Sequence, residues 1–93
     1  MDQIVNTHPG KILFKDFLSP LDISVERLAK EIKLPVKTIQ SLIDEKSSID
    51  VSIALRLSRF FGNSPEFWLN VQKNYDMRLI SKELASIKQF EVV

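Results

Sequence analysis

The sequence predicts an all-α domain, and three observations predict it. Glycine occurs only at positions 10 and 62, and no Asn-Gly hairpin dipeptide is present. Period-two alternation of apolar and polar residues is scarce. Apolar residues instead recur three and four apart, in blocks bounded by proline, serine and aspartate. The 93 residues, 44% of them hydrophobic, fit a single domain, 1–93, with one core. Burial leaves a domain of this size only marginally stable, so a partner copy would help it.

The elements follow in order. Pro9 suits the first turn of a helix, where its missing N–H costs nothing. Ile12, Leu13 and Phe17 form the inner face of that helix, and Ser19-Pro20 is expected to end it. Ser24 is the N-cap of a second helix to about Ile32, with Leu28 and Ala29 inward. Pro35 opens a third, with Pro35, Ile39, Leu42 and Ile43 on the inner side. Asp50 caps a fourth, with Ile53, Ala54, Leu57 and Phe60 inward, and Gly62 stops it. Ser64-Pro65 starts a fifth, expected to reach about Lys88. Residues 77–93 are read as a C-terminal helical extension at an interface.

Several function classes lack support. The absence of cysteine excludes disulfides and thiolate metal sites and suits a reducing cytoplasm. The start, MDQIVNTHPG, has no basic region and no long apolar run, so no signal peptide is expected. No stretch approaches the ~20 apolar residues of a membrane helix. His8 is the sole histidine, which makes a transition-metal site improbable and assigns it to the start of the first helix. Asp16, Asp44 and Glu45 read as solvated carboxylates, and no Ser-His-Asp order or phosphate-cradling glycine loop exists. No enzyme activity and no cofactor are expected. Arg56 and Arg59 read as ordinary surface ion pairs, with phosphate or protein contact the lesser alternative. Net charge is only +1, so any hold on nucleic acid must come from local charge.

The stretch ERLAKEIKLPVKTIQSLI, residues 26–43, carries the chemistry. On a helical wheel, Lys37, Gln40, Ser41 and Asp44 face away from the core, with Thr38 and Glu45 at a flank. Gln pairs with adenine N6 and N7, Lys with guanine O6 and N7, and Ser or Thr with several base edges. A helix fits the major groove and reads with its first turns. Ala29 is small enough to let the third helix approach, Lys33-Leu34 supplies the turn, and Leu34 plugs the corner. Alternatively, the pair simply closes a core.

Three segments, HPGKILFKDFL at 8–18, SVERLAKEIKLPVKTIQSLI at 24–43 and IALRLSRFFGNSPEFWLNVQKNYDMR at 53–78, resemble the HigA-type antitoxins. That family, also called virulence-associated protein I, lies within the lambda-repressor-like helix-turn-helix group. The resemblance implies a compact five-helix fold with a long C-terminal helix. It also implies a homodimer, binding to palindromic double-stranded operator DNA, transcriptional repression, and neutralisation of a HigB-type toxin that cleaves mRNA. The family's recognition positions carry over to Val36, Lys37, Thr38, Gln40 and Ser41, and its phosphate-contacting positions to Ser24, Val25 and Lys46.

The chain departs from the family pattern at three places. Lys33 stands where glycine is usual, so either left-handed strain of about 1–2 kcal/mol is tolerated or the turn differs. Asp44-Glu45-Lys46-Ser47 stands where Asn-Gly-Lys-Arg is common, adding carboxylates near the expected phosphates. Val25 replaces a frequent glutamine and cannot donate to phosphate. These departures predict weaker nonspecific DNA affinity, and they support an alternative in which the chain is a protein-interaction module with weak or no DNA binding.

The last helix carries two apolar stripes. Trp68, Val71, Tyr75 and Leu79 form one, with Trp68 assigned to the core. Met77, Ile80, Leu84 and Ile87 form the other, about 130° away. Their 3, 4, 3 spacing is the rhythm of a coiled-coil seam. Their full burial would be worth roughly 6–12 kcal/mol before entropy is counted. The second stripe therefore meets a dimer mate or a toxin, unless the helix breaks near Asp76 and folds its tail back.

Overall fold

The computed structural model describes residues 7–91; residues 1–6 and 92–93 of the expected domain lie outside that range. Five helices are present among the described residues, with no strand. They are α1 (9–21), α2 (Val25–Ile32), α3 (Val36–Ile43), α4 (Val51–Phe61) and α5 (Pro65–Glu83). The expected all-α, five-helix architecture is the observed one.

His8 starts α1: its Nδ1 accepts from the Gly10 N–H at 2.9 Å, and its ring meets Tyr75 of α5 edge-on at 4.9 Å. Ser19-Pro20 does not end α1, contrary to expectation. The helix continues to Leu21 by widening over Leu13–Leu18 into a π turn, in which the Ser19 N–H reaches back to the Phe14 carbonyl. In α geometry the Pro20 ring would press on the carbonyl four residues earlier. A wider turn just ahead of the proline relieves that clash. The chain turns at Asp22 instead, whose φ is 56°.

The caps of α2, α4 and α5 are those expected. Ser24 Oγ accepts from the Arg27 N–H at 3.0 Å, Asp50 Oδ1 from the Ile53 N–H at 2.8 Å, and Ser64 Oγ from the Phe67 N–H at 3.2 Å. Gly62 ends α4 with φ 81°, a left-handed conformation that glycine adopts without a Cβ clash. Pro35 is the N-cap of α3 and lies exposed, not on its inner side, because the extended backbone before the first turn points its ring outward.

Core residues come from all five helices. Leu13, Leu18, Leu28, Ile39, Leu42, Leu57 and Trp68 are fully enclosed. Phe17 and Phe67 pack on the Trp68 ring at centroid distances of 4.9 and 5.0 Å, and Trp68 Nε1 donates to Asn63 Oδ1 at 3.1 Å. Tryptophan is thus buried with its one polar atom satisfied.

α5 stops at Glu83, about one turn short of the expected Lys88. Its buried residues, Trp68, Val71 and Gln72, all belong to its first half. Beyond Asp76 the described residues are all exposed, so the last turns lack the tertiary packing that sustains most protein helices.

Candidate nucleic-acid interface

α2 and α3 meet through a turn made of Lys33, Leu34 and Pro35. Lys33 takes the left-handed conformation, φ 60° and ψ 49°. Of the two possibilities the sequence left open, this domain holds a lysine where glycine would be unstrained. Two backbone bonds fix the corner. The Lys33 N–H donates to Lys30 O at 3.3 Å, and the Leu34 N–H to Ala29 O at 3.0 Å. This pairing satisfies carbonyls that the end of α2 would otherwise leave free. Ala29 is buried at the crossing, and Leu34 packs half-buried against the core.

The far end of α3 repeats this geometry. Glu45 has φ 62°, its N–H donates to Leu42 O at 3.0 Å, and the Lys46 N–H donates to Ser41 O at 2.9 Å. The C-terminal ends of α2 and of α3 are therefore closed by the same two-bond turn, each with a charged residue in left-handed geometry. Further on, buried Gln72 of α5 accepts the Ile49 N–H at 2.8 Å through Oε1, and its Nε2 donates to Asp76 at 2.9 Å. The segment leaving α3 is thereby pinned to α5.

Two residues that position α3 escaped the sequence reading. A Cβ on buried Gly10 would overlap the Leu42 carbonyl, so only glycine lets α1 come against the end of α3. The His-Pro-Gly triplet in a glycine-poor chain was the available signal. Arg56 of α4 donates through Nη1 to Ile32 O at 2.7 Å and to Lys33 O at 3.3 Å. Its Nε donates to Ser52 Oγ at 3.1 Å. Arg56 therefore braces the corner and is not a surface ion pair. No local pattern reveals a contact that spans 24 residues.

The predicted DNA-facing side chains differ in exposure. Val36, Lys37 and Gln40 are exposed on α3, and Thr38 and Ser41 are half-buried. Ser24 and Lys46 are exposed at the two ends, with Val25 half-buried against the core. Ser24 Oγ accepts the Arg27 N–H, which leaves its O–H free to donate outward. Gln40 Nε2 donates to Asp44 Oδ1 at 3.0 Å, and both side chains lie exposed.

The expected second stripe is helical only in part, since Met77 and Ile80 lie on α5 while Leu84 and Ile87 lie beyond its end, and it is open: Met77 is 62%, Ile80 43%, Leu84 48% and Ile87 68% exposed. Met77, Ile80 and Leu84, with Asp76 and Ser81, line a shallow recess. The described tail does not fold back over them. Among the described residues no helix is long and apolar enough to cross a membrane.

No family model matches the chain. The virulence-associated protein I of Dichelobacter nodosus is 36% identical over 80 residues, covering 86% of this chain and 74% of the relative. Antitoxin HigA-1 of Vibrio cholerae is 34% identical over 68 residues, covering 73% of this chain and 64% of its own length. Among solved structures, the Pseudomonas aeruginosa antitoxin HigA with higBA promoter superposes with a TM-score of 0.86 at 32% identity, covering 95% of this chain and 96% of that one.

Proposed function

The chain belongs to the HigA antitoxin (virulence-associated protein I) family of helix-turn-helix regulators, a family without enzymes, and on that premise we propose that it represses transcription by occupying operator DNA. The observation that carries this reading is the outward polar side of α3, held at a corner braced by backbone bonds. It stands in a chain that superposes closely on an antitoxin solved with promoter DNA.

Two copies would place their α3 helices in successive major grooves, ~34–36 Å apart. Val36, Lys37, Thr38, Gln40 and Ser41 would meet base edges, while Ser24, Val25 and Lys46 would lie against the backbone. The open stripe of Met77, Ile80, Leu84 and Ile87 would join the homodimer or receive a HigB-type toxin, whose neutralisation is the second half of the proposed role. Occupancy alone blocks transcription, so no cofactor takes part. The operator sets the site of action in the cytoplasm.

A mobility-shift titration on the DNA directly upstream of the coding sequence tests this. The wild-type chain should retard that duplex at concentrations that leave a scrambled duplex free, and Gln40→Ala should abolish the difference. Equal retardation of both duplexes would sink the repressor reading. Retardation of neither would sink it too, and would favour instead the interaction-module reading, which the exposed carboxylates of Asp44 and Glu45 support.

A further inference from the structure

We propose that Asp44 is a positioning residue that sets which base Gln40 accepts, an inference that rests on the operator-binding reading above. The pair sits one helical turn apart on the outward side of α3, with Gln40 Nε2 3.0 Å from Asp44 Oδ1. An ionised carboxylate can only accept hydrogen bonds, so the end of the amide facing it must be the nitrogen. The orientation of this side chain therefore follows from chemistry, although the amide's oxygen and nitrogen are otherwise nearly alike in shape.

The base preference follows by counting donors. A free Gln amide offers two N–H donors and one acceptor oxygen. Asp44 takes one donor, leaving one N–H and Oε1. Adenine presents one acceptor, N7, and one donor, N6–H, in the major groove, which is the complement of what remains. Guanine presents two acceptors, N7 and O6, and would need both N–H groups at once. Asp44 thus favours adenine and penalises guanine without touching either base. Both side chains are now bathed in water; in a groove their mutual bond is desolvated and strengthened.

The position of Asp44 argues for such a role over a stabilising one. It closes the C-terminal end of α3, where the helix dipole disfavours a negative charge, and it stands near the expected phosphates. Local helix stability and nonspecific DNA affinity would both improve without it.

The test is selection from a randomised duplex pool by the wild type, Gln40→Ala and Asp44→Ala, each variant checked for a thermal unfolding midpoint no lower than the wild type's. The wild type should enrich a palindrome with adenine at one fixed place in each half-site. Gln40→Ala should relax that place. Asp44→Ala should relax it as well, by about tenfold in the adenine-to-guanine ratio, the size expected when one bidentate base contact loses its constraint. Preferences elsewhere in the half-site should stand, and overall affinity should not fall. A purely structural role for Asp44 would weaken all places together. If adenine survives Asp44→Ala, the inference is wrong and the operator reading stands. If Asp44→Ala instead erases a cytosine preference beside it, Asp44 reads a base directly, which also overturns the inference. A wild-type pool without any motif would defeat the operator reading and the inference together.

Discussion

Replacing Lys33 with glycine should stabilise the protein, even though it removes a side chain and adds no contact. Lys33 sits at φ 60° and ψ 49°, where a Cβ crowds the following carbonyl at a cost of about 1–2 kcal/mol. Glycine relieves that crowding but gives the unfolded chain more freedom, a loss of about 0.5–1 kcal/mol. The difference is a gain of about 0.5–1 kcal/mol. Every bond that residue 33 makes at the corner uses its backbone atoms: its N–H to Lys30, and its carbonyl to Arg56. None depends on the lysine side chain. For a domain of this size the gain corresponds to a rise of about 2–8 °C in the unfolding midpoint. Thermal unfolding followed by circular dichroism, at one fixed protein concentration, would read it. Lys33→Ala is the control, since it discards the charge and keeps the Cβ, and its midpoint should not rise. A fall with glycine, or an equal rise with alanine, would show that backbone strain at this corner has been misjudged.

Other perturbations give different signatures. Arg56→Ala should destabilise the fold by about 1–2 kcal/mol, because it strips a charge-assisted donor from the carbonyls of Ile32 and Lys33; Arg56→Lys should restore only part of this in urea unfolding, lacking the planar fork. Gly10→Ala should cost about 3 kcal/mol, the upper end of overpacking, since the neighbour it meets is backbone and cannot rotate aside; the urea midpoint would read it, and an unchanged midpoint would mean that α1 can shift freely. Lys46→Ala should lower the slope of log affinity against log salt by about 0.9 if Lys46 holds one phosphate, from a wild-type slope already shallow because Asp44 and Glu45 lie beside it. Ile80→Asp should leave the helix content of the five-helix unit intact, while sedimentation should show a shift toward monomer if the open stripe joins two copies.

Much of this architecture was legible because helix ends announce themselves locally. Ser24, Asp50 and Ser64 each cap the helix that follows by bonding an N–H three residues on, and such a bond needs nothing from the rest of the chain. The outward side of α3 was legible for a similar reason: periodicity fixes which residues share a face. What escaped notice depends on distant neighbours. Pro20 reads as a stop because the usual helix cannot hold it, and only the π turn over Leu13–Leu18 shows otherwise. The end of α5 was overestimated because apolar spacing continues to Ile87 while its packing partners do not. Arg56 and Gln72 act across the fold, on the turn after α2 and on the backbone of Ile49, so no window of sequence contains both partners.

These contacts explain how the exposed side of α3 can be open to substitution and still well placed. The helix is held by its ends. Backbone bonds at Lys33 and Leu34 set its start, backbone bonds at Glu45 and Lys46 set its finish, and Gly10 fits its last turn against α1. Beneath, Ile39 and Leu42 are wholly enclosed. None of these supports uses the side chains of Lys37, Gln40 or Ser41. Substitution at those three positions therefore leaves the frame intact, and the surface offered to a groove can change without unfolding the domain. Asp44 differs, since its side chain touches Gln40 and sets a negative charge at the helix's C-terminal end, which its backbone N–H closes. A change there alters both what the surface says and how firmly it is held, which is why its effect on base preference must be measured beside its effect on stability.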